Sequence, residues 1–185
     1  MTQNKFLQNL SNNIKPIKLG DVILVPLEQK HLSFYYKLYS SPTTVKYQRV
    51  NRCQNLNEAK KQLALRLWRR KRGRTFYWLI KYRGKLVGGF SVNRINYQKQ
   101  FFSIGIAVLN KFAGQGIATK VVRRFTRYAF NNLKPTVIKA NCAGDNSAIQ
   151  KVLLGGGFTR YLSRKQGMKI DQKWHCAHFY HLPRP

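Results

Sequence analysis

Residues Phe102–Ala118 have the sequence FSIGIAVLNKFAGQGIA, which predicts a strand, a short loop and a Gly-x-Gly turn that opens a long helix. The start of such a helix presents unpaired backbone N–H groups and the positive end of the helix dipole, so it can bind phosphate without a charged side chain. Gly114 and Gly116 tolerate a positive φ and place no Cβ between the backbone and the phosphates. A tight strand-to-helix turn without a ligand is the alternative explanation of these two glycines.

The dinucleotide-binding fingerprint G-x-G-x-x-G is incomplete in this stretch. Thr119 stands where the third glycine belongs, and no acidic residue follows about twenty positions later to bind a ribose. The run from Lys111 to Gly116, KFAGQG, instead resembles the acyl-CoA loop of the GNAT N-acetyltransferases, whose pattern is Gln/Arg-x-x-Gly-x-Gly/Ala. Asn146, and Gly157-Phe158 at the end of the next predicted helix, match a second hallmark of that family.

The resemblance extends from about Asp21 to Leu182 and is to the RimL/RimJ branch of the family, which acetylates the N-terminal α-amine of ribosomal proteins. It implies an α+β GNAT fold, with a mixed, mostly antiparallel central sheet, helices on both faces and a splayed strand that binds acyl-CoA. It also implies an acyltransferase that moves acetyl from acetyl-CoA to an amine, most naturally the N-terminus of an acidic or ribosome-bound protein. Because the same branch acts on amino acids, peptides and antibiotics, a small-molecule amine is an alternative acceptor.

The resemblance places the cofactor along the central strand and over the loop. The strand edge from Ile106 through Ala107 to Val108 pairs with the pantetheine arm. A backbone N–H at Val108 or its neighbour stabilises the tetrahedral oxyanion. The main-chain amides that hold the pyrophosphate belong to Phe112, Ala113, Gly114, Gln115, Gly116, Ile117 and Ala118.

Four further side chains are implied to lie near the cofactor. Lys111 and Lys120 add positive charge beside the phosphates. Asn146 forms a hydrogen bond with the pantetheine or thioester region, and Asn141 is expected close to it. The alternative roles are a strand end for Asn141 and a helix cap for Asn146.

The catalytic side chains of the family do not carry over to this sequence. Ile149 stands where the RimL branch has a serine that protonates the departing thiolate, and Met168 stands where it has a glutamate base. Ser103 and Leu153 replace a second glutamate and the tyrosine acid of other GNAT members. Three candidate replacements for the acid are Cys142, Ser147 and Tyr161, although Cys142 also suits a small position on a buried strand.

Loss of the acid and base weakens the chemistry without excluding it. An α-amine has a pKa near 8, so roughly a tenth is neutral at pH 7. Loss of a positioned base costs about 10²- to 10⁴-fold in rate, while proximity still contributes. A lysine side chain, with a pKa of about 10.4, would be a poorer acceptor. The competing hypothesis is a GNAT scaffold that kept the CoA loop and now binds RNA or the ribosome.

Composition indicates one globular domain over residues 19–185, preceded by a polar arm over residues 1–18. The chain has 185 residues, 43% of them hydrophobic, which suffices for a core. We expect no membrane span and no secretory signal, since no apolar run is long enough. Three distant cysteines predict reduced thiols and a cytoplasmic location. The oligomeric state stays open, a homodimer included.

Positive charge dominates the composition. Thirty-five Lys and Arg against five Asp and Glu give a net charge of +30. This charge predicts a polyanionic partner such as nucleic acid, the ribosome, an anionic membrane surface or an acidic protein, and it disfavours polyamine acceptors. A basic helix ending in WRRKRGR, residues Trp68–Arg74, predicts either a phosphate-binding or a solvated face. A basic bias of the whole lineage, without a dedicated partner, is the alternative.

Periodicity and turn residues predict the remaining helices and strands. Their order along the chain is mixed and indicates an α+β fold, in which helices cover a sheet. Asn57 is expected to cap the second long helix. The other predicted helices are Glu28–Tyr39, Gly116–Leu133 and Asn146–Leu154, and the other predicted strands are Asp21–Leu27, Phe76–Lys81, Leu86–Asn93, Thr136–Cys142, Thr159–Met168 and Trp174–Leu182.

The C-terminal strand contains three histidines and a cysteine, a composition that raises the question of a metal site. Because side chains alternate along a strand, His175 and His181 share one face while Cys176 and His178 share the other. Four ligands cannot converge from two faces, so we predict no metal site.

Overall fold

One sheet organises the described residues, 14–48 and 50–185, of this computed structural model. Its eight strands are β1 Ile17–Leu19, β2 Val22–Pro26, β3 Phe76–Tyr82, β4 Lys85–Asn96, β5 Phe101–Val108, β6 Val137–Ala143, β7 Thr159–Ile170 and β8 Lys173–Pro183. Their order across the sheet is β1-β2-β3-β4-β5-β6-β8-β7. The pair β5–β6 is parallel and the other neighbours are antiparallel, which confirms the predicted mixed, mostly antiparallel sheet.

Helices cover both faces of this sheet, as predicted. They are α1 Leu32–Tyr39, α2 Pro42–Val45, α3 Leu56–Lys71, α4 Ile117–Tyr128 and α5 Ser147–Gly155. The helices α1 and α3 share a buried cluster with Tyr77 and Leu79 of β3. The helices α4 and α5 share a larger cluster with Phe76, Trp78 and Ile80 of the same strand. Because β3 is covered on both faces, its sequence is continuously apolar instead of alternating.

The helix predicted for Gly116–Leu133 changes its geometry before it ends. It is α-helical to Tyr128 and continues as one π-helical turn over Ala129–Leu133. Lys134 then adopts a left-handed φ of 47° and Pro135 follows, so the helix cannot continue. Within the described residues, no helix has both the length and the hydropathy to cross a bilayer.

The N-terminal arm predicted for residues 1–18 ends earlier than expected. Ile17 and Lys18 belong to β1, which pairs with β2. The side chains of Ile17 and Leu19 are each only 6% exposed, because they extend the cluster that α4 covers. Burial of these two apolar side chains therefore outweighs the polar composition of the segment. Residues 1–13 lie outside the described residues.

The cap predicted at Asn57 is wrong, because the second long helix begins at Leu56 and is capped by Asn55. The Asn55 side chain accepts a hydrogen bond from the Glu58 N–H at 2.9 Å. The Glu58 carboxylate in turn accepts from the Gln54 N–H at 2.8 Å. Both asparagines have the same capping propensity, so only the backbone, extended at Asn55, distinguishes them.

Replacing Asn55 with alanine should lower the free energy of unfolding by about 1 kcal/mol, because the Glu58 N–H then loses its acceptor. The matched change Asn57→Ala lies in the same turn and should alter that free energy by less than about 0.5 kcal/mol. Urea titrations followed by circular dichroism measure both values. Equal losses for the two variants would show that Asn55 does not cap the helix in solution.

Candidate active site

A wedge-shaped cleft opens where β5 and β6 separate. The two strands pair only from Phe101 to Ser103, opposite Val137 to Lys139. On its other side, β5 stays paired with β4 as far as Val108. From Ile104 to Val108, β5 therefore has one edge without a partner strand in the described part of the chain. This geometry is the splayed strand that the resemblance implied.

The hydrogen bonds of β5 show which main-chain groups face the cleft. The Leu109 N–H donates to a β4 carbonyl at 2.9 Å and so points away from the cleft. Because the N–H groups of consecutive strand residues point to opposite edges, those of Val108 and Ile106 face the cleft, and that of Ala107 faces β4. The Gln48 amide agrees with this direction, since it donates to the Ile106 carbonyl at 3.5 Å from the cleft side.

The loop after β5 carries a row of main-chain donors that begins later than predicted. The N–H groups of Phe112 and Ala113 each donate at 2.9 Å to the carbonyl three residues earlier, within a 3₁₀ turn. Gly114 and Gly116 follow with φ values of 76° and 70°. Among the described residues, no protein acceptor meets the main-chain N–H groups of Gly114, Gln115, Gly116, Ile117 and Ala118. The predicted phosphate donors are thus reduced to these five.

The positive side chains around the loop differ in availability. The Lys111 ammonium lies over the neighbouring phenyl ring, 5.0 Å from its centroid. Lys120, expected beside the phosphates, forms an ion pair with Asp21 at 2.8 Å. This hydrogen bond is the largest cause that lowers the pKa of Asp21 to about 2. Lys151 of α5, which no sequence pattern singled out, lines the cleft opposite the loop.

A large chamber of about 580 Å³ joins the loop, the free edge of β5 and the start of α5. The predicted site residues that line it are Ile106, Ala107, Val108, Phe112, Ala113, Gly114, Gly116, Ala118, Asn146 and Ser147. Four predicted cofactor residues, namely Lys111, Gln115, Ile117 and Asn141, do not line it. The Gln115 amide turns back to the Lys111 carbonyl at 3.2 Å, and the Ile117 side chain is buried in the core.

A small chamber of about 280 Å³ adjoins the large one along the free edge. Ile106, Ala107 and Asn146 line both chambers, so the two meet at the middle of the edge, whereas Val108 lines the large chamber alone. The small chamber also contains Arg66, Arg69, Arg94, Asn141, Cys142, Ile149 and Met168. No Asp, Glu or His of the described residues lines either chamber.

Asn146 caps α5 and also faces both chambers. Its Oδ1 accepts a hydrogen bond from the Ile149 N–H at 3.2 Å, so the helix-cap role is present. Its amide nitrogen has no acceptor among the described residues, which leaves it available to a ligand. Asn141 lies on β6 and lines the small chamber but not the large one.

The three candidate acids lie in different surroundings. Ser147 is the first residue of α5, is exposed and lines the large chamber. Burial raises the pKa of the Cys142 thiol to about 11, and the opposing effect of its hydrogen bond with Tyr180 is smaller. A free thiol titrates near pH 8.5, so Cys142 is a weaker acid than the thiol that would form when it protonates the departing thiolate. Tyr161 stacks on His181 at 5.0 Å and lines neither chamber.

The sequence interpretation missed the arginines of the small chamber. Arg66 and Arg69 belong to a helix whose basic face was assigned to solvent or phosphate as a whole. Their i, i+3 spacing, which places both on one side of the helix, was the available signal. Arg94 follows the polar pair Ser91 and Asn93 of β4, and no motif marks it.

The mixed sheet, the splayed strand and the donor-rich helix start together define a transferase that uses an acyl carrier. Residues 21–159 match the family model described as an acetyltransferase (GNAT) domain. The match covers most of the chain, which therefore belongs to the GNAT acetyltransferase family. The chain is an acyltransferase, and acetyl-CoA is its acetyl donor. A search of curated protein sequences gave no significant match.

Solved structures share this fold. The microcin self-immunity acetyltransferase MccE, in complex with acetyl-CoA and AMP, is 19% identical over 94% of this chain and 98% of its own, with a TM-score of 0.84. The ribosomal α-N-protein acetyltransferase RimL, in complex with CoA, is 18% identical over 91% and 98%, with a TM-score of 0.83. Spermidine N-acetyltransferase from Vibrio cholerae, with CoA and spermine, is 17% identical over 89% and 96%, with a TM-score of 0.78. At these identities the likeness concerns the fold.

Proposed function

We propose that this chain transfers acetyl from acetyl-CoA to the α-amine at the N-terminus of an acidic or ribosome-associated protein in the cytoplasm. The observation that carries the proposal is the free edge of β5, which leads from the unpaired donors of the loop to the point where the two chambers meet. RimL, a ribosomal α-N-protein acetyltransferase, has the same fold. The net charge of +30 would attract an acidic partner.

In this proposal the large chamber holds acetyl-CoA. The unpaired N–H groups from Gly114 to Ala118 bind the pyrophosphate at the start of α4. The cleft-facing groups of Val108 bind the pantetheine arm, and the Asn146 amide lies beside the same path. The acetyl group then reaches Ile106, because that residue is shared by the two chambers. The acceptor enters through the small chamber.

In this proposal, main-chain groups and water carry out most steps of the acetyl transfer. The neutral amine nitrogen forms a bond to the thioester carbon, and the Ile106 N–H stabilises the oxyanion that results. Ile106 is preferred to Val108 as the oxyanion donor, because Val108 does not line the small chamber. When the carbon–sulfur bond breaks, the amine proton passes to water. Ser147, which lines the large chamber, is the candidate proton donor to the departing sulfur and would regain its proton from water.

Thiol release from acetyl-CoA with an N-terminal peptide should follow the ionisation of the acceptor. Since no Asp, Glu or His of the described residues lines a chamber, kcat/KM should rise about tenfold from pH 6 to 7 and level off near pH 8, the pKa of an α-amine. Cys142, with its pKa raised to about 11 by burial, stays protonated throughout. A thiol-release assay across pH, with peptides whose α-amine pKa values differ, measures this. A plateau at one fixed pH for all peptides would reveal a base in the enzyme.

A second candidate function is a scaffold that binds RNA or the ribosome without catalysis. It is favoured by Ile149 and Met168, which face the small chamber where the resemblance places an acid and a base. It is also favoured by exposed basic side chains along β7, namely Arg160, Arg164, Lys165 and Lys169. A peptide panel in the thiol-release assay separates the candidates. No turnover, together with RNA binding that weakens steeply with salt, would support the scaffold, and turnover of free amines alone would support a small-molecule acceptor.

A further inference from the structure

The small chamber contains three arginines and, within the described residues, no carboxylate. Arg66 and Arg69 reach it from α3, and Arg94 reaches it from β4. We propose that this chamber recognises an acceptor with a carboxylate or phosphate close to its reacting amine, and that Arg66 is the principal contact of that anion. This inference rests on the proposed function and specifies the chemical class of its acceptor.

Arg66 is a half-buried cation that forms no ion pair with any residue that the structure describes. Its guanidinium carbon lies 5.6, 5.1 and 4.5 Å from the ring centroids of Tyr35, Tyr39 and Tyr77. Its Nε donates to the Tyr35 hydroxyl at 2.6 Å, and its other N–H groups have no acceptor in the described part of the chain. The three rings fix the guanidinium and remove part of its water. A fixed, partly desolvated guanidinium fork gains most from a carboxylate or phosphate ligand.

Other cations at the end of the same helix are engaged away from the chamber. Arg70 donates to the Leu27 carbonyl at 2.8 Å. Arg72 stacks on the Trp68 ring at 4.0 Å. The basic residues at the end of this helix are therefore divided between structural contacts and the chamber.

One wall of the small chamber is formed by polar side chains and a glycine of β3 and β4. A Cβ built on Gly89 would lie 1.9 Å from the Tyr77 hydroxyl, so only glycine leaves that tyrosine in place beneath Arg66. Ser91 and Asn93 continue this wall, and their side chains are joined by a hydrogen bond of 3.2 Å. These groups can hydrogen-bond the polar main chain of an acceptor while the arginines bind its anion.

The three arginines of the small chamber disfavour an acceptor that carries a second positive charge near its amine. A polyamine, or a peptide with lysine beside its N-terminus, would place a second cation among three guanidinium groups. An acidic residue near the N-terminus, or the carboxylate of a free amino acid, would instead neutralise them. Both acceptors present a carboxylate close to the reacting amine. They differ in whether that carboxylate belongs to a protein or to a free amino acid.

Three amidated peptides, Ala-Asp-Ala-Ala, Ala-Asn-Ala-Ala and Ala-Lys-Ala-Ala, test the proposal together with free alanine and alaninamide. We expect kcat/KM to fall at least tenfold from the Asp to the Asn peptide, and further for the Lys peptide. Arg66→Gln should lower kcat/KM for the Asp peptide at least tenfold more than for the Asn peptide, and so remove most of the Asp preference. Arg66→Lys should restore part of it. Arg72→Gln, which removes the same charge just after the end of α3, is the matched control and should keep the full preference.

The outcomes separate this inference from the proposed function. A preference for alanine over alaninamide that exceeds the peptide preference would assign the anion to a free amino acid. If Arg66→Gln folds and keeps the wild-type ratio of Asp to Asn rates, the inference is overturned and the transferase stands. If no peptide turns over, calorimetry with N-acetyl-Ala-Asp-Ala-Ala and CoA decides: binding that is lost in Arg66→Gln supports the anion site, and binding equal in both variants overturns it.

Discussion

Gly114→Asp should weaken CoA binding about a hundredfold and leave the fold intact. A carboxylate about 5 Å from a phosphate charge repels it by roughly 3 kcal/mol at an effective dielectric constant of about 20, a factor of about one hundred. Solvent screens part of this repulsion, but the diphosphate carries more than one charge. Gly114 lines the large chamber, and a Cβ there meets nothing within 4 Å. Calorimetric titration with CoA measures the loss.

Gly84→Asp is a matched control for this variant. Gly84 lies in the turn between β3 and β4, where its φ of 78° is close to the 76° of Gly114, and it too has open space around it. Both variants therefore suffer the same backbone strain, about 1 kcal/mol for a residue other than glycine at positive φ. Only Gly114→Asp adds charge at the loop. Equal CoA affinities for the two variants would contradict the assignment of the phosphates to this loop.

The parts of the site that depend on local sequence were predictable. The loop glycines, the strand before them and the helix after them are neighbours in the chain, and backbone geometry fixes the donors that they present. Phe112 and Ala113 were predicted as phosphate donors, but their N–H groups form hydrogen bonds within a 3₁₀ turn. No sequence pattern separates that turn from an open loop, because both use the same residues.

The parts that depend on packing were not predictable. Arg66 belongs to the small chamber because α3 packs on the face of β3 that carries Tyr77 and against Tyr35 of α1, which lies 31 residues away in the chain. Likewise, Lys120 was expected at the phosphates but meets Asp21, which the β1–β2 turn brings to α4. Charge patterns reveal that a helix is basic. They do not reveal which of its charges the fold has already paired.

Ile106→Pro should lower kcat by about 10²- to 10³-fold, the usual effect of removing one oxyanion donor. The variant deletes the N–H that faces the meeting point of the two chambers. It deletes no ladder bond, because β5 has no partner strand on that edge beyond Ser103 in the described residues. Steady-state rates of thiol release measure kcat and the KM for acetyl-CoA.

Two further variants separate the N–H from the side chain and from its neighbour on the strand. Ile106→Ala keeps the N–H while losing the half-buried side chain, so its kcat should stay within a few-fold of the wild type. Val108→Pro removes the next cleft-facing N–H, which contacts the large chamber alone, and should raise the KM for acetyl-CoA more than it lowers kcat. If the large loss of kcat appears in Val108→Pro instead, the oxyanion donor is Val108, and the acetyl group stops one hydrogen-bonding position nearer to the phosphate loop. The acceptor would then have to enter through the large chamber, beside Ser147, and the arginines of the small chamber would lie too far from the reacting amine to select it.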